Sequence, residues 1–254
     1  MRLWVVLLGF VLQGESVRPP PAELKVASFY KKYLDADGLP ILSSEKVPDT
    51  ALRQAKDIVT RMLVMRPDVR KAIVERKIRV AIMAKSEVTT DIPEHSDLNR
   101  VFPGTDWNKR CRGVGATLAR PVCSGAEENL LGLPEDRYRG ESILLHEFAH
   151  TIHEIGMAGV DAAFGPAVEK AYGDAIAKGL WKKTYAGTNA KEYWAEGVQS
   201  WFDANLESTP ANGIHNEINT REELKKYDPA LAALIAQVFP DDAWRFSYPK
   251  KPLR

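Results

Sequence analysis

The sequence is poor in cysteine, in net charge and in long apolar runs, and each shortage narrows what it can be. Two cysteines in 254 residues are too few for a disulfide-dense scaffold or a four-thiolate zinc site. Lys and Arg number 35 against 34 Asp and Glu, a net charge of +1. A nucleic-acid binder usually carries a basic excess. Basic pairs such as Lys182-Lys183, Lys225-Lys226 and Lys250-Lys251 read as solvated surface, so nucleic acid is not an expected partner. No apolar stretch has the length that a bilayer-spanning helix needs, about 20 residues. No N-x-S/T sequon, no internal repeat and no composition break is present. What remains, 44% hydrophobic and 27% charged residues, is the composition of a globular chain and excludes disordered and collagen-like classes.

The first residues read as a targeting segment. Arg2 is followed by an apolar run over 3–12 (LWVVLLGFVL), and Gly14-Glu15-Ser16 places small residues at −3 and −1 of a cut after Ser16. This is the layout of a secretory signal peptide over 1–16, and it predicts a secreted chain beginning near Val17. Cys111 and Cys123 are then an even pair in an oxidising compartment, and a disulfide between them is expected. Residues 17–48, opening on the polyproline-like VRPPPA, are expected to be an N-terminal extension. Residues 49–254 are expected to form one domain, monomeric.

Periodicity sets out the rest. Asp49 precedes a helix over about 50–65 with Leu52, Ala55, Ile58, Val59 and Met62 as its apolar stripe. Pro67 opens a second short helix, and residues 77–84 alternate as a strand with Ile78, Val80 and Ile82 on one side. Residues 86–112 read as a long loop, and 114–117 and 129–131 as short strands. From Gly140 onward, helices are expected near 141–155, 159–178, 190–205, 221–226 and 229–238, with Gly156 and Gly179 as stops. The fold class is α+β: a small mixed sheet followed by a mainly helical C-terminal half.

Within the first of those later helices stands His146-Glu147-Phe148-Ala149-His150. Four residues are about one helical turn, so H-E-x-x-H puts both imidazoles on one face, where they can bind one zinc, with Glu147 in reach of a water held by that metal. A catalytic zinc takes a third protein ligand. The extended motif H-E-x-x-H-x-x-G-x-x-H fails, because positions 153 and 156 hold His153 and Gly156. The remaining source is a later helix, 190–205, where Glu192, Glu196 and Gln199 fall at helical spacing beside an apolar stripe of Trp194, Val198, Trp201 and Phe202. Glu192 also stands three residues after Asn189, the spacing of a capping box. Spacing alone therefore leaves both Glu192 and Glu196 open as the ligand.

The H-E-x-x-H pentapeptide, Tyr185, Glu192 seven residues on and Glu196 four further resemble the catalytic domain of anthrax lethal factor. They are also similar to its secreted relatives, the Pro-Pro endopeptidases. The resemblance spans roughly 125–205 and has no counterpart of the toxin's large delivery domain. It implies a zinc metallopeptidase with one Zn(2+) per chain on His146, His150 and Glu192, and Glu147 as general base. Tyr185 is implied as oxyanion stabiliser and Glu196 as the residue orienting a ligand. Residues 127–131 are expected to be an edge strand on which a peptide substrate lies.

Other residues invite less. His153 reads as a neighbour of the site rather than a ligand. His95 and His215 lack a helical partner and read as surface; Trp181, Trp194 and Trp201 read as core. The function expected is a secreted zinc endopeptidase acting on peptide or protein substrates. The alternatives are a catalytically silent binding protein on the same fold, or a zinc hydrolase of a non-peptide amide or ester.

Overall fold

The computed structural model describes residues 16–249. The expected signal peptide over 1–16 lies, but for Ser16, outside them. Strands β1 (Lys32–Ala36), β2 (Leu39–Ser43), β3 (Arg79–Met83) and β4 (Val122–Ala126) form one sheet in that order. β1 and β2 pair antiparallel, while β2–β3 and β3–β4 are parallel, with Ile41 opposite Val80 and Ala81 opposite Ser124. Between β2 and β3 lie α1 (Asp49–Met62) and α2 (Pro67–Glu75); α3 (Leu98–Val101) and α4 (Trp107–Arg110) are single turns before β4. After the sheet come α5 (Glu127–Leu131), α6 (Ile143–Thr151), α7 (Ala158–Val160), α8 (Phe164–Ala177), α9 (Ala190–Trp201), α10 (Arg221–Tyr227) and α11 (Pro229–Ala236). The α+β class and its mainly helical C-terminal half are as expected. No helix among the described residues is long and apolar enough to cross a membrane.

Two strands stand where an N-terminal extension was expected. Asp37 and Gly38 both have positive φ, 53° and 89°, the left-handed pair that a two-residue hairpin turn requires. The Asp35 carboxylate accepts from the Gly38 N–H at 3.2 and 3.3 Å. The hairpin places β2 between β1 and β3, and every residue of β2 is buried. Residues 32–43 of that stretch are therefore built into the sheet, and Arg18 makes an isolated antiparallel bridge to Tyr33.

Alternation divides the strands between two cores. Leu34, Ile41, Val80, Ile82 and Cys123 face the larger core, shared with α1, α2 and α6. Tyr33, Leu42, Ala81, Met83 and Val122 face a smaller one closed by Tyr30 and Ile92. This alternation also corrects the disulfide. Both cysteines are free. Cys123 is fully buried with its thiol turned to Thr151, whereas the Cys111 thiol lies 3.9 Å from the Trp107 carbonyl oxygen. The cysteines thus lend no support to an exporting compartment.

Two further expectations change. Residues 129–131 belong to α5 rather than to a strand, so 127–131 offers no edge for strand addition. The strand in this region is Val122–Ala126, and Val114 makes an isolated antiparallel bridge to Ser124. Gly156 does not stop a helix either: after α6 the chain continues through a π-helical segment, Ile152–Met157. A Cβ at Gly156 would lie 2.6 Å from Val69 Cγ1 and 3.2 Å from Ile73 Cδ1, so glycine lets α2 pack against this segment. Gly179, with φ of 80°, does follow the end of α8 as expected.

Candidate metal centre

The cluster forms where α6 and α9 cross. α6 starts from two caps: the Ser142 hydroxyl accepts from the Leu145 N–H at 3.4 Å, and Asn129 Oδ1 accepts from the Ile143 N–H at 2.8 Å. α9 starts at Asn189, whose side chain accepts from the N–H groups of Lys191 and Glu192 at 3.0 and 3.1 Å. Between the helices, buried Trp194 donates its indole N–H to the Ala149 carbonyl at 3.0 Å. Burying such a side chain stabilises by roughly 2–3 kcal/mol and sets the rotation of both helices. Trp181, Trp194 and Trp201 are all core, as expected.

That rotation brings His146 Nε2 and His150 Nε2 to 3.1 Å from each other, and Glu192 Oε2 to 3.1 and 3.2 Å from them. Two ligands bound to one tetrahedral ion at about 2.0–2.1 Å stand about 3.3 Å apart. The triangle is therefore close to three edges of a single coordination sphere, with two nitrogens and one oxygen as donors. Among the described residues it is the group of three such side chains that can hold a metal ion. The electrostatics agree. Burial opposes a charge on His146, but the hydrogen bond to Glu192 and the carboxylates of Glu147, Glu196 and Glu192 outweigh it and raise its pKa to about 10. Burial pushes the other way on Glu192, yet the two histidines hold its carboxyl well below the usual range. The cluster attracts positive charge, and a divalent cation fits where a proton otherwise sits.

Glu147 is half-buried beside the histidines. Burial raises its pKa, against the pull of His146 and His150. The extended chain at 113–116 lies against it. A Cβ on Gly113 would meet Ile143 Cγ2 at 2.7 Å, and one on Gly115 would meet His150 Cβ at 3.0 Å. Gly115 also offers its N–H to the Glu147 carboxylate. Tyr185 stacks on His146 with ring centroids 6.3 Å apart; its hydroxyl bonds Glu192, and burial and that carboxylate raise its pKa. Its loop is tied to the interior: Trp181 Nε1 and the Tyr193 hydroxyl both donate to buried Asp228, at 2.9 and 2.7 Å.

Glu196 is buried, 3.5 Å from His146 Nδ1, and accepts from Asn205 Nδ2 at 3.0 Å. Gln199 lies closer, its Oε1 2.8 Å from the same nitrogen. Spacing placed Gln199 on this face of α9 but assigned it no role. His215, expected at the surface, is buried and pairs with Glu141 at 3.3 Å; only the folded loop after α9 brings it there. His95 is also buried, behind the sheet, with Nε2 3.1 Å from Ser124 Oγ. His153 is buried against Phe164 and Trp194 and lies outside the ligand triangle.

No protein-family model and no curated protein sequence matches the chain. Among solved structures, the fold is similar to that of the Pro-Pro endopeptidase PPEP-2 from Paenibacillus alvei. The TM-score is 0.51 at 16% identity, over 80% of this chain and 99% of that one. At that identity the likeness is one of fold, and it reaches well beyond the stretch over which the motif residues resemble this group.

Proposed function

We propose that the protein is a secreted zinc-dependent endopeptidase. The observation that carries the reading is the triangle of His146, His150 and Glu192 with Glu147 beside it, inside a fold similar to that of an endopeptidase. Bound there, zinc would supply a polarised carbonyl and a water whose pKa is lowered towards about 7. Glu147 takes a proton from the attacking water and returns it to the leaving amine; its raised pKa suits both transfers. The Tyr185 hydroxyl donates to the oxyanion that develops on the carbonyl oxygen. The extended segment at 113–116, against Glu147 and His150, replaces 127–131 as the backbone along which a peptide lies.

The test is a mass-spectrometric count of new termini after incubating residues 17–254, zinc-loaded, with a peptide library that includes Pro-Pro sequences. Wild type is expected to cleave. Glu147→Gln should lower the rate by about two to four decades. Zinc-loaded wild type that cleaves nothing, or cleavage unaffected by Glu147→Gln, overturns the reading.

A further inference from the structure

We infer that Gln199, rather than Glu196, is the positioning residue that fixes the tautomer of His146 and so presents its Nε2 lone pair to a cation. The inference rests on the metal-centre reading above and concerns how this chain builds the site.

An amide side chain has two ends that differ only in what they can do: the oxygen accepts and the NH2 group donates. Gln199 is fully buried, so both ends must find protein partners. Its Nε2 lies 3.4 Å from the carbonyl oxygen of Ser142 and 3.4 Å from that of Ala204. Those carbonyls can only accept, so the NH2 group must point at them. Oε1 is left facing His146 Nδ1 at 2.8 Å, and an acceptor there requires a proton on Nδ1. With Nδ1 protonated, Nε2 is the nitrogen free to bind metal, and Nε2 is the atom that meets His150 and Glu192.

The two carbonyls are themselves fixed. Ser142 O accepts the first helical bond of α6, from the His146 N–H at 3.1 Å, and Ala204 O accepts from the Ser142 N–H at 3.0 Å. The Ala204 N–H returns to the Gln199 carbonyl at 2.9 Å. Gln199 thus ties the end of α9 to the start of α6 while it sets the imidazole. A carboxylate could not do this, because it has no hydrogen to offer the two carbonyls. Glu196 is the rival for the same nitrogen. It stands farther away, at 3.5 Å, and one of its oxygens is committed to Asn205. His150 has no such anchor: its Nδ1 meets no acceptor among the described residues. The site is therefore held rigidly on one side.

Chelator competition with zinc chloride and long-range 15N–1H spectra of the imidazoles, both on residues 17–254, test this. Wild type loaded with zinc should show the His146 proton on Nδ1. Gln199→Met, similar in length but without an acceptor, should weaken zinc binding about 10–100-fold, and Glu196→Gln should weaken it less. A His146 proton found on Nε2, unchanged affinity in folded Gln199→Met, or a larger loss in Glu196→Gln overturns the inference and leaves the metal-centre reading standing. Wild type that binds no zinc overturns both. If Gln199→Met does not fold, the wild-type spectrum and Glu196→Gln still decide.

Discussion

His146 and His95 are both withdrawn from water, on opposite sides of the sheet, and their surroundings drive them in opposite directions. His146 lies among Glu192, Glu147 and Glu196, which overcome burial and raise its pKa to about 10. His95 lies beside the Ser124 hydroxyl on the smaller-core side, and burial lowers its pKa to about 4. Removal from water alone makes a histidine neutral and inert. Surrounding carboxylates turn the same residue into part of a site that attracts cations. What distinguishes the two positions is the sign and number of neighbours that the fold assembles, not their depth.

The comparison breaks most sharply on metal affinity. His150→Ala removes one of three donors and should cost more than the roughly 100-fold typical of losing an outer hydrogen-bond partner. His95→Asn, on the other side of the sheet, should bind zinc like wild type. Equal losses in the two variants, measured by chelator competition, would show that zinc binds elsewhere.

Next in size is Tyr185→Phe, which removes a hydroxyl that bonds Glu192 in this structure and is proposed to serve the oxyanion. It should lower kcat by about two to three decades with little change in KM. A rise in KM at constant kcat would instead make Tyr185 a substrate-binding residue.

The histidines that burial holds neutral, His95 behind the sheet and His153 beside Phe164 and Trp194, should reveal themselves in acid. His95 and His153 are both held neutral by burial, each with its pKa lowered to about 4 from an unfolded value near 6.5. Asp97 and Arg120 flank His95 with opposing charges, and Glu154, His150 and Lys191 surround His153. Between pH 6.5 and 4 the unfolded chain binds more protons than the folded one. Stability is therefore complete above the unfolded value and falls as pH drops towards 4, by on the order of 2–3 kcal/mol for each group. Urea midpoints at pH 7 and pH 5 should differ, and His95→Asn should flatten part of that slope. The same midpoints in both variants of pH would remove the neutral-histidine account.

The smallest expected effect is none. With Cys111 and Cys123 both free, reducing agent should leave the melting temperature unchanged. Two thiols should titrate in denaturant, with Cys123 unreactive in the folded protein because it is fully buried. A shift in melting temperature on reduction would restore the disulfide.

Much of this was legible along the chain, because some signals are local. The H-E-x-x-H spacing, the Pro67 start of α2, the stripe of α1 and the Asn189 cap of α9 each act within a turn or two of helix. The β1–β2 hairpin also carries a local signal, Asp37-Gly38 between Tyr33-Leu34 and Ile41-Leu42, which the expectation of an extension over 17–48 did not use. β4 was not legible. Its Ser124, Gly125 and Ala126 have weak strand preference, and the pairing with β3 holds them in place.

By itself, then, the sequence determined that His146 and His150 share one face of α6, since four residues are about one helical turn whatever surrounds them. It determined the α+β class through the order of its periodic segments. The resemblance already favoured Glu192 over Glu196, and the structure sets Glu192 against both imidazoles. Only the tertiary structure separated the two cysteines, buried His95 and His215, and brought Gln199 to His146 from 53 residues away. The meeting of Glu192 and Gln199 with His146 depends on how α6 and α9 rotate against each other around Trp194, whereas the cysteines and His95 are placed by the sheet. That rotation is set by packing between segments distant in the chain, and no spacing within either segment carries it.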